Sequence, residues 1–100
     1  MTSVTAKNDF EVGASPKLRA KLYDSDGDLF DPSDLSLIIH PPSGSNVSKT
    51  LGDITKESTG IYYYAYTITL EGHHEYRFTG TDASGRTEVR TGSFEARSTF

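Results

Sequence analysis

The sequence predicts an all-β protein, specifically an immunoglobulin-like β-sandwich of about seven antiparallel strands. Three observations predict it. Short stretches alternate apolar with polar residues, clusters of Gly, Pro, Asp and Ser separate those stretches, and no long stretch has a helical period. The chain has 100 residues, of which 34% are hydrophobic. This length fits one domain, and this composition fits the thin core between two sheets.

Three strands are predicted in the first half of the chain, over 17–23, 35–40 and 47–54. In the first of them Leu18, Ala20 and Leu22 alternate with charged residues, which is typical of a half-buried strand. The second should end at Pro41, because proline cannot donate to a strand ladder. The third is interrupted by Gly52, so we expect a weak strand at a sheet edge. Open edges over 10–12 and 49–54 could accept a partner strand.

The second half begins with the strongest strand signal, residues 61–70, which are dense in Tyr, Ile and Thr. We predict that its larger apolar face points inward, namely Tyr62, Tyr64, Tyr66, Ile68 and Leu70. This leaves Tyr63 as the one exposed ring of the tyrosine run, the single candidate for stacking on a sugar. A turn is predicted over 71–74, followed by two final strands, 75–81 and 86–96.

Three residues in the penultimate strand sharpen the architecture. Gly72 precedes Tyr76 by four positions, and Phe78 follows two positions later. This spacing matches the tyrosine corner of immunoglobulin-like sandwiches, in which the tyrosine hydroxyl bonds to upstream backbone. Phe78 stands where an antibody domain has its second cysteine. Structural roles are therefore predicted for Gly72, Tyr76 and Phe78.

Composition and charge exclude several function classes. With no cysteine, the chain has no disulfide, thiolate metal site or cysteine nucleophile. No stretch has the length and apolarity of a membrane span, and residues 1–9 lack the apolar centre of a signal peptide. The net charge of −4, with the later arginines interleaved among acidic residues, opposes nucleic-acid binding. We therefore expect no nucleic-acid or membrane partner, and folding in a cytoplasm.

An acidic loop is the main candidate for a metal site. Asp24, Asp26 and Asp28 place carboxylates at alternate positions around Gly27, and calcium binds oxygen ligands on tight loops. The spacing does not match the helix-loop-helix calcium loop, so plain turn formation is the favoured prediction and calcium binding the alternative. Adjacent His73 and His74 would point to opposite sides of a strand. We predict no metal site and no cofactor.

No catalytic motif is present. The chain has serines and histidines, but no nucleophile elbow, catalytic carboxylate pair or phosphate-binding loop. A sandwich of this size also leaves little volume for a cleft that excludes water. The sequence therefore predicts a protein that is not an enzyme and has no catalytic residues.

The order of these features resembles small immunoglobulin-like structural proteins encoded by tailed bacteriophages. The resemblance covers 10–96 and is carried by the segments 10–13, 22–28, 31–32, 35–39, 42–44, 58–63, 72–78 and 92–95. It implies a virion protein assembled in the host cytoplasm, a capsid decoration protein or a neck or tail accessory. The implied partners are the major capsid protein, other virion subunits or further copies of this chain. The resemblance supplies no catalytic or binding residues.

The polarity of residues 1–9 and the extent of the resemblance divide the chain. A flexible arm is expected over 1–9, the sandwich over 10–96 and a short tail over 97–100, with the arm and Phe100 as candidate contacts to neighbouring subunits. The alternative function is an immunoglobulin-like module that binds cell-surface or polysaccharide ligands, including a baseplate role. A domain that starts at its own methionine, without linker or anchor, favours the virion interpretation over a surface adhesin module.

Overall fold

The computed structural model describes residues 9–98. They form eight strands and one short 3-10 helix, Leu51–Asp53. The strands are β1 (Asp9–Glu11), β2 (Lys17–Lys21), β3 (Asp34–His40), β4 (Val47–Thr50), β5 (Thr55–Ser58), β6 (Ile61–Ala65), β7 (Gly72–Thr81) and β8 (Thr87–Arg97). None of the described residues belongs to a helix long and apolar enough to cross a membrane.

The strands form two sheets that pack as a β-sandwich. One sheet has five strands in the order β1-β8-β7-β3-β4, and the other has three in the order β2-β6-β5. This distribution is that of an immunoglobulin-like sandwich, and it confirms the predicted fold class. One detail corrects the prediction of an entirely antiparallel fold. β1 runs parallel to β8, with Asp9 beside Glu95.

Alternation along the strands builds the core. The inward residues of β2 and β3 are buried while their neighbours face solvent, because successive side chains of a strand point to opposite faces. Phe78 of β7 has no exposed surface, and Phe94 of β8 is 2% exposed. The remaining buried apolar residues are Leu18, Ala20, Leu22, Leu35, Leu37, Ile39, Ile54, Tyr62, Tyr66, Ile68 and Ala96.

The predicted strand over 61–70 is only half correct. β6 ends at Ala65, because the next residues bond to an irregular segment instead of a ladder. The amide of Tyr66 donates to the carbonyl of Pro16, and that of Ile68 donates to the carbonyl of Ala14. Tyr66 and Ile68 are buried as predicted, but Leu70 is 37% exposed. The inward face therefore ends before the predicted strand does.

Two further predictions concern the turn at 71–74 and the chain ends. The turn is wrong, because β7 already begins at Gly72, which lies beside Ala96 of β8. Both histidines therefore lie within the strand. The predicted arm over 1–9 falls outside the described residues except for Asp9, which belongs to β1, and Phe100 also falls outside them.

Asp31 holds the loop after β2 against the three-stranded sheet through hydrogen bonds. Its carboxylate accepts hydrogen bonds from Lys56 Nζ at 2.7 Å, from the amide of Gly60 at 2.9 Å and from the hydroxyl of Tyr62 at 3.1 Å. These donors, Lys56 foremost, lower the pKa of Asp31. Burial, together with the bond to Asp31, raises the pKa of Tyr62 to about 12.

The raised pKa of Tyr62 predicts a loss of stability at high pH. The unfolded chain releases this proton near pH 10.0, whereas the folded protein holds it until about 12. The stabilisation is thus complete below pH 10 and is lost as the pH rises towards 12. We expect Tyr62→Phe to flatten the decline in the free energy of unfolding over this interval, measured by denaturant titration. An unchanged decline would contradict this assignment.

Candidate functional site

A depression of about 510 Å³ lies across β3, β7 and β8 of the five-stranded sheet. Its volume is within the range of small-ligand sites. The lining presents polar and apolar surface in similar amounts and consists of Ile38, His40, Asn46, Glu75, Tyr76, Arg77, Thr91, Gly92 and Ser93. Most of these belong to the outer face of the sheet, because their neighbours Leu37, Ile39 and Phe78 point into the core. No pattern in the sequence predicts this surface.

Strand register brings the lining residues together. Arg77 of β7 lies beside Ile38 of β3 on one side and Thr91 of β8 on the other. The next outer row contains His40, Glu75 and Ser93 in the same order. Neighbouring strands are about 4.8 Å apart, and residues two positions apart on one strand are separated by about 6.6 Å. The depression thus presents a grid of polar groups two rows deep and three strands wide.

Arg77 differs from the other arginines of the described segment because it has no ion pair. Its guanidinium is exposed and has no hydrogen-bond partner among residues 9–98. The other four are each paired with a carboxylate, namely Arg19 with Glu57, Arg86 and Arg90 with Glu88, and Arg97 with Asp9. Arg77 therefore presents an available cationic fork within the depression.

Two histidines flank the depression in different ways. His40 Nδ1 lies 2.6 Å from the side-chain oxygen of Asn46, which fixes both groups at the rim. His73 contacts Glu95 through Nδ1 and lies 3.4 Å from Glu75 through Nε2. The hydrogen bond to Glu95, with that to Glu75, raises the pKa of His73. Its protonated form therefore places a positive charge against Glu75, one of the two charged residues of the grid.

The predicted structural residues occupy β7, but not as a tyrosine corner. Tyr76 lies mid-strand, and its hydroxyl has no hydrogen-bond partner among the described residues. Its ring instead covers Gly92 on the adjacent strand, where a Cβ atom would lie 2.5 Å from Tyr76 Cζ. Phe78 is a core residue in edge-to-face contact with Tyr76. Gly72 is the first residue of the strand and lies close to the side chain of Pro42. The three residues thus serve sheet packing.

The acidic loop has the geometry of a turn. One carboxylate oxygen of Asp24 accepts the amide hydrogens of both Asp26 and Asp28, at 2.9 Å and 3.0 Å. The strand pairing of Tyr23 with Leu29 closes this turn. Within residues 9–98 no group of three or more His, Asp or Glu side chains is arranged to hold a metal ion. The alternative of calcium binding by Asp24, Asp26 and Asp28 thus gains no support from their geometry.

His74 is a buried polar residue that the sequence analysis assigned to a turn. It is fully buried and stacks on Phe94, with ring centroids 4.6 Å apart. Nδ1 donates to the carbonyl of Gly72 at 3.1 Å, while Nε2 has no partner in the described part of the chain. Because β7 starts at Gly72, alternation along the strand places this histidine on the inward face. The sequence pattern did not reveal where the strand starts, and burial of the histidine was therefore not predicted.

The tyrosine run is mostly covered. Tyr62 is buried, and Tyr64 is half-buried with Lys49 Nζ 5.4 Å from its ring centroid. Tyr63, predicted to be the exposed ring, is also half-buried, and Lys17 Nζ lies 4.7 Å from its centroid. A lysine over the ring occupies the surface that a sugar would need for stacking. The run therefore does not form an open aromatic platform.

Comparison with known proteins supports the fold and goes no further. No family model matches the chain, and no curated protein matches it. Among solved structures, the chain is similar to CopC from Methylosinus trichosporium OB3b, with a TM-score of 0.64 and 14% sequence identity. The match covers 94% of this chain and 88% of CopC. At this identity the similarity shows a shared β-sandwich fold.

Proposed function

We propose that this chain is a non-enzymatic virion structural protein, a capsid decoration subunit that binds the major capsid protein. The resemblance of its sequence to small phage immunoglobulin-like proteins motivates the specific assignment. The structural support for the proposal comes from the edges of the five-stranded sheet. β1 and β4 form the two edges of the five-stranded sheet and overlap in part the open edges predicted over 10–12 and 49–54.

Edge strands can bind protein partners through main-chain hydrogen bonds. The outer side of β4 has no strand neighbour within residues 9–98, and Ser48 on this strand is exposed. An extended segment of a neighbouring subunit could pair there and continue the sheet. Lys49 and Lys56 lie on the edge strands of the two sheets, and such lysines restrict non-specific pairing. These edges therefore suit a partner of matched geometry.

Quantitative mass spectrometry of particles purified from the source tests the assignment directly. We expect a copy number comparable to that of the major capsid protein, because decoration proteins cover the capsid lattice. A much lower number would replace the decoration role with a neck or baseplate role. Complete absence from the particles would overturn the virion proposal and favour the alternative of a ligand-binding module.

Edge variants test how the protein binds. We expect Ser48→Lys on β4, which adds a charge, or Glu11→Lys on β1, which replaces a carboxylate by an ammonium group, to reduce the amount retained on particles, because edge lysines oppose strand pairing. Ser43→Lys in the loop between β3 and β4 is the matched control and should be retained normally. Full retention of both edge variants would exclude strand addition, even for a protein that is present on the particle.

A further inference from the structure

We propose that the depression on the five-stranded sheet binds a saccharide that carries a carboxylate, with Arg77 as the residue that recognises the acid. This proposal concerns a different surface from the sheet edges and does not depend on the virion assignment.

The main argument for the proposal is that the Arg77 guanidinium has no ion-pair partner within residues 9–98. A guanidinium donates two parallel hydrogen bonds to one carboxylate, and such charge-assisted pairs are stronger than neutral hydrogen bonds. The other arginines within residues 9–98 already pair with a protein carboxylate, whereas Arg77 does not. It lies between the side chains of Ile38 and Thr91, at the centre of its row. A carboxylate of the ligand could therefore form an ion pair with Arg77.

The rest of the lining fits the hydroxyl groups of a sugar. Glu75 accepts hydrogen bonds, Thr91 can donate and accept them, and the Asn46 amide can donate from the rim while its oxygen contacts His40. Ile38 supplies apolar surface beside them for the C–H face of a ring. Glu75 accepts hydrogen bonds but cannot donate them, so it repels the further carboxylates of an acidic peptide, whereas the hydroxyl groups of a sugar can donate to it. The composition of the depression thus favours a saccharide over an acidic peptide.

The charge of the depression suits contact with one carboxylate at a time. Arg77 is accompanied in the depression by Glu75, and the chain as a whole carries a formal charge of −4. A polyphosphate or nucleic acid needs several clustered cations to replace its counterions. One cation among neutral and acidic groups suits a single carboxylate with hydroxyls nearby. A uronic-acid ring has this chemistry, with one carboxylate among its hydroxyls, and a short uronic-acid oligomer can present one such ring to Arg77.

Titration of the isotope-labelled full-length protein with trigalacturonate, followed by amide NMR, tests the proposal. We expect saturable shifts at Ile38, Arg77 and Thr91, and none with the methyl ester of the same oligomer. Arg77→Gln should weaken binding roughly tenfold or more, because it removes the charge-assisted bonds. Arg77→Lys should retain part of the affinity, since it keeps the charge without the fork.

Arg19→Gln is the matched control. Arg19 is similarly exposed but lies on β2 of the other sheet, paired with Glu57 at 3.0 Å. Its loss should leave the trigalacturonate affinity unchanged. The proposal is overturned by an absence of shifts at the depression, by equal binding to the methyl ester, or by unaltered affinity of Arg77→Gln. Shifts with a triglutamate peptide but not with the saccharide would likewise overturn it and indicate a protein ligand.

Discussion

Phe78→Ala is expected to lower the free energy of unfolding by about 3–5 kcal/mol. The ring of Phe78 is fully buried between the two sheets, beside Leu37 on β3, and it contacts Tyr76 edge to face. Alanine would remove this buried apolar surface and leave a cavity that the flanking strands could fill only in part. Urea titration followed by tyrosine fluorescence measures the change.

The matched control for Phe78→Ala is Val89→Ala on the neighbouring strand. Val89 is 45% exposed, so its truncation should change stability by no more than about 0.5 kcal/mol. In a domain of this size the loss at Phe78 corresponds to a melting temperature lower by about 12 °C or more. A loss below about 1 kcal/mol would show that Phe78 is not a central core residue.

Gly60→Ala is expected to destabilise the protein by about 2–4 kcal/mol, from backbone strain and steric overlap together. Gly60 joins β5 to β6 with φ at +75°, a conformation that side-chain-bearing residues rarely adopt. An added Cβ would lie 2.7 Å from Leu29 Cβ and 2.9 Å from the backbone nitrogen of Phe30. Relief would require movement of the loop that Asp31 holds to Gly60.

Gly44→Ala separates the two contributions to this loss. Gly44 also has a positive φ, at +84°, but a Cβ there would meet no atom within 4 Å. Its substitution should therefore cost only the backbone strain, about 1–2 kcal/mol. Thermal unfolding of the two variants beside the parent protein gives the difference. Equal losses at both positions would contradict the steric part of the argument at Gly60.

Local patterns were enough to predict the sandwich. The alternation of Leu18, Ala20 and Leu22, and the stop at Pro41, depend only on neighbouring residues and were correct. The end of β6 was not predictable in this way, since Tyr66 and Ile68 bond to a segment some fifty residues earlier in the chain. Their side chains still face inward, so the alternation of apolar residues extends past the end of β6. The sequence pattern therefore does not indicate where the strand ends.

The depression was beyond sequence reasoning for a related reason. Ile38, Arg77 and Thr91 come from three separate strands, and only the register between those strands places them in one row. A one-residue shift in the register of any of these strands would point its side chain in this row towards the core instead of the solvent. In the sequence, Arg77 is one charged residue in an alternating strand. Nothing local distinguishes it from the arginines that form ion pairs.

The parallel pairing of β1 with β8 has a consequence for how the domain is made. β1 precedes the other described strands of the domain and finds its ladder partner only in β8, which follows them, so the five-stranded sheet cannot be completed during most of the synthesis of the domain. The sheet edge therefore closes after translation of β8, through contacts of high sequence separation that favour slow folding. Because the paired segment is short, Asp9 at the start of β1 and Arg97 at the end of β8 are only about 8 Å apart. A short linker between them would permit circular permutation, with new ends opened in the exposed turn between β7 and β8.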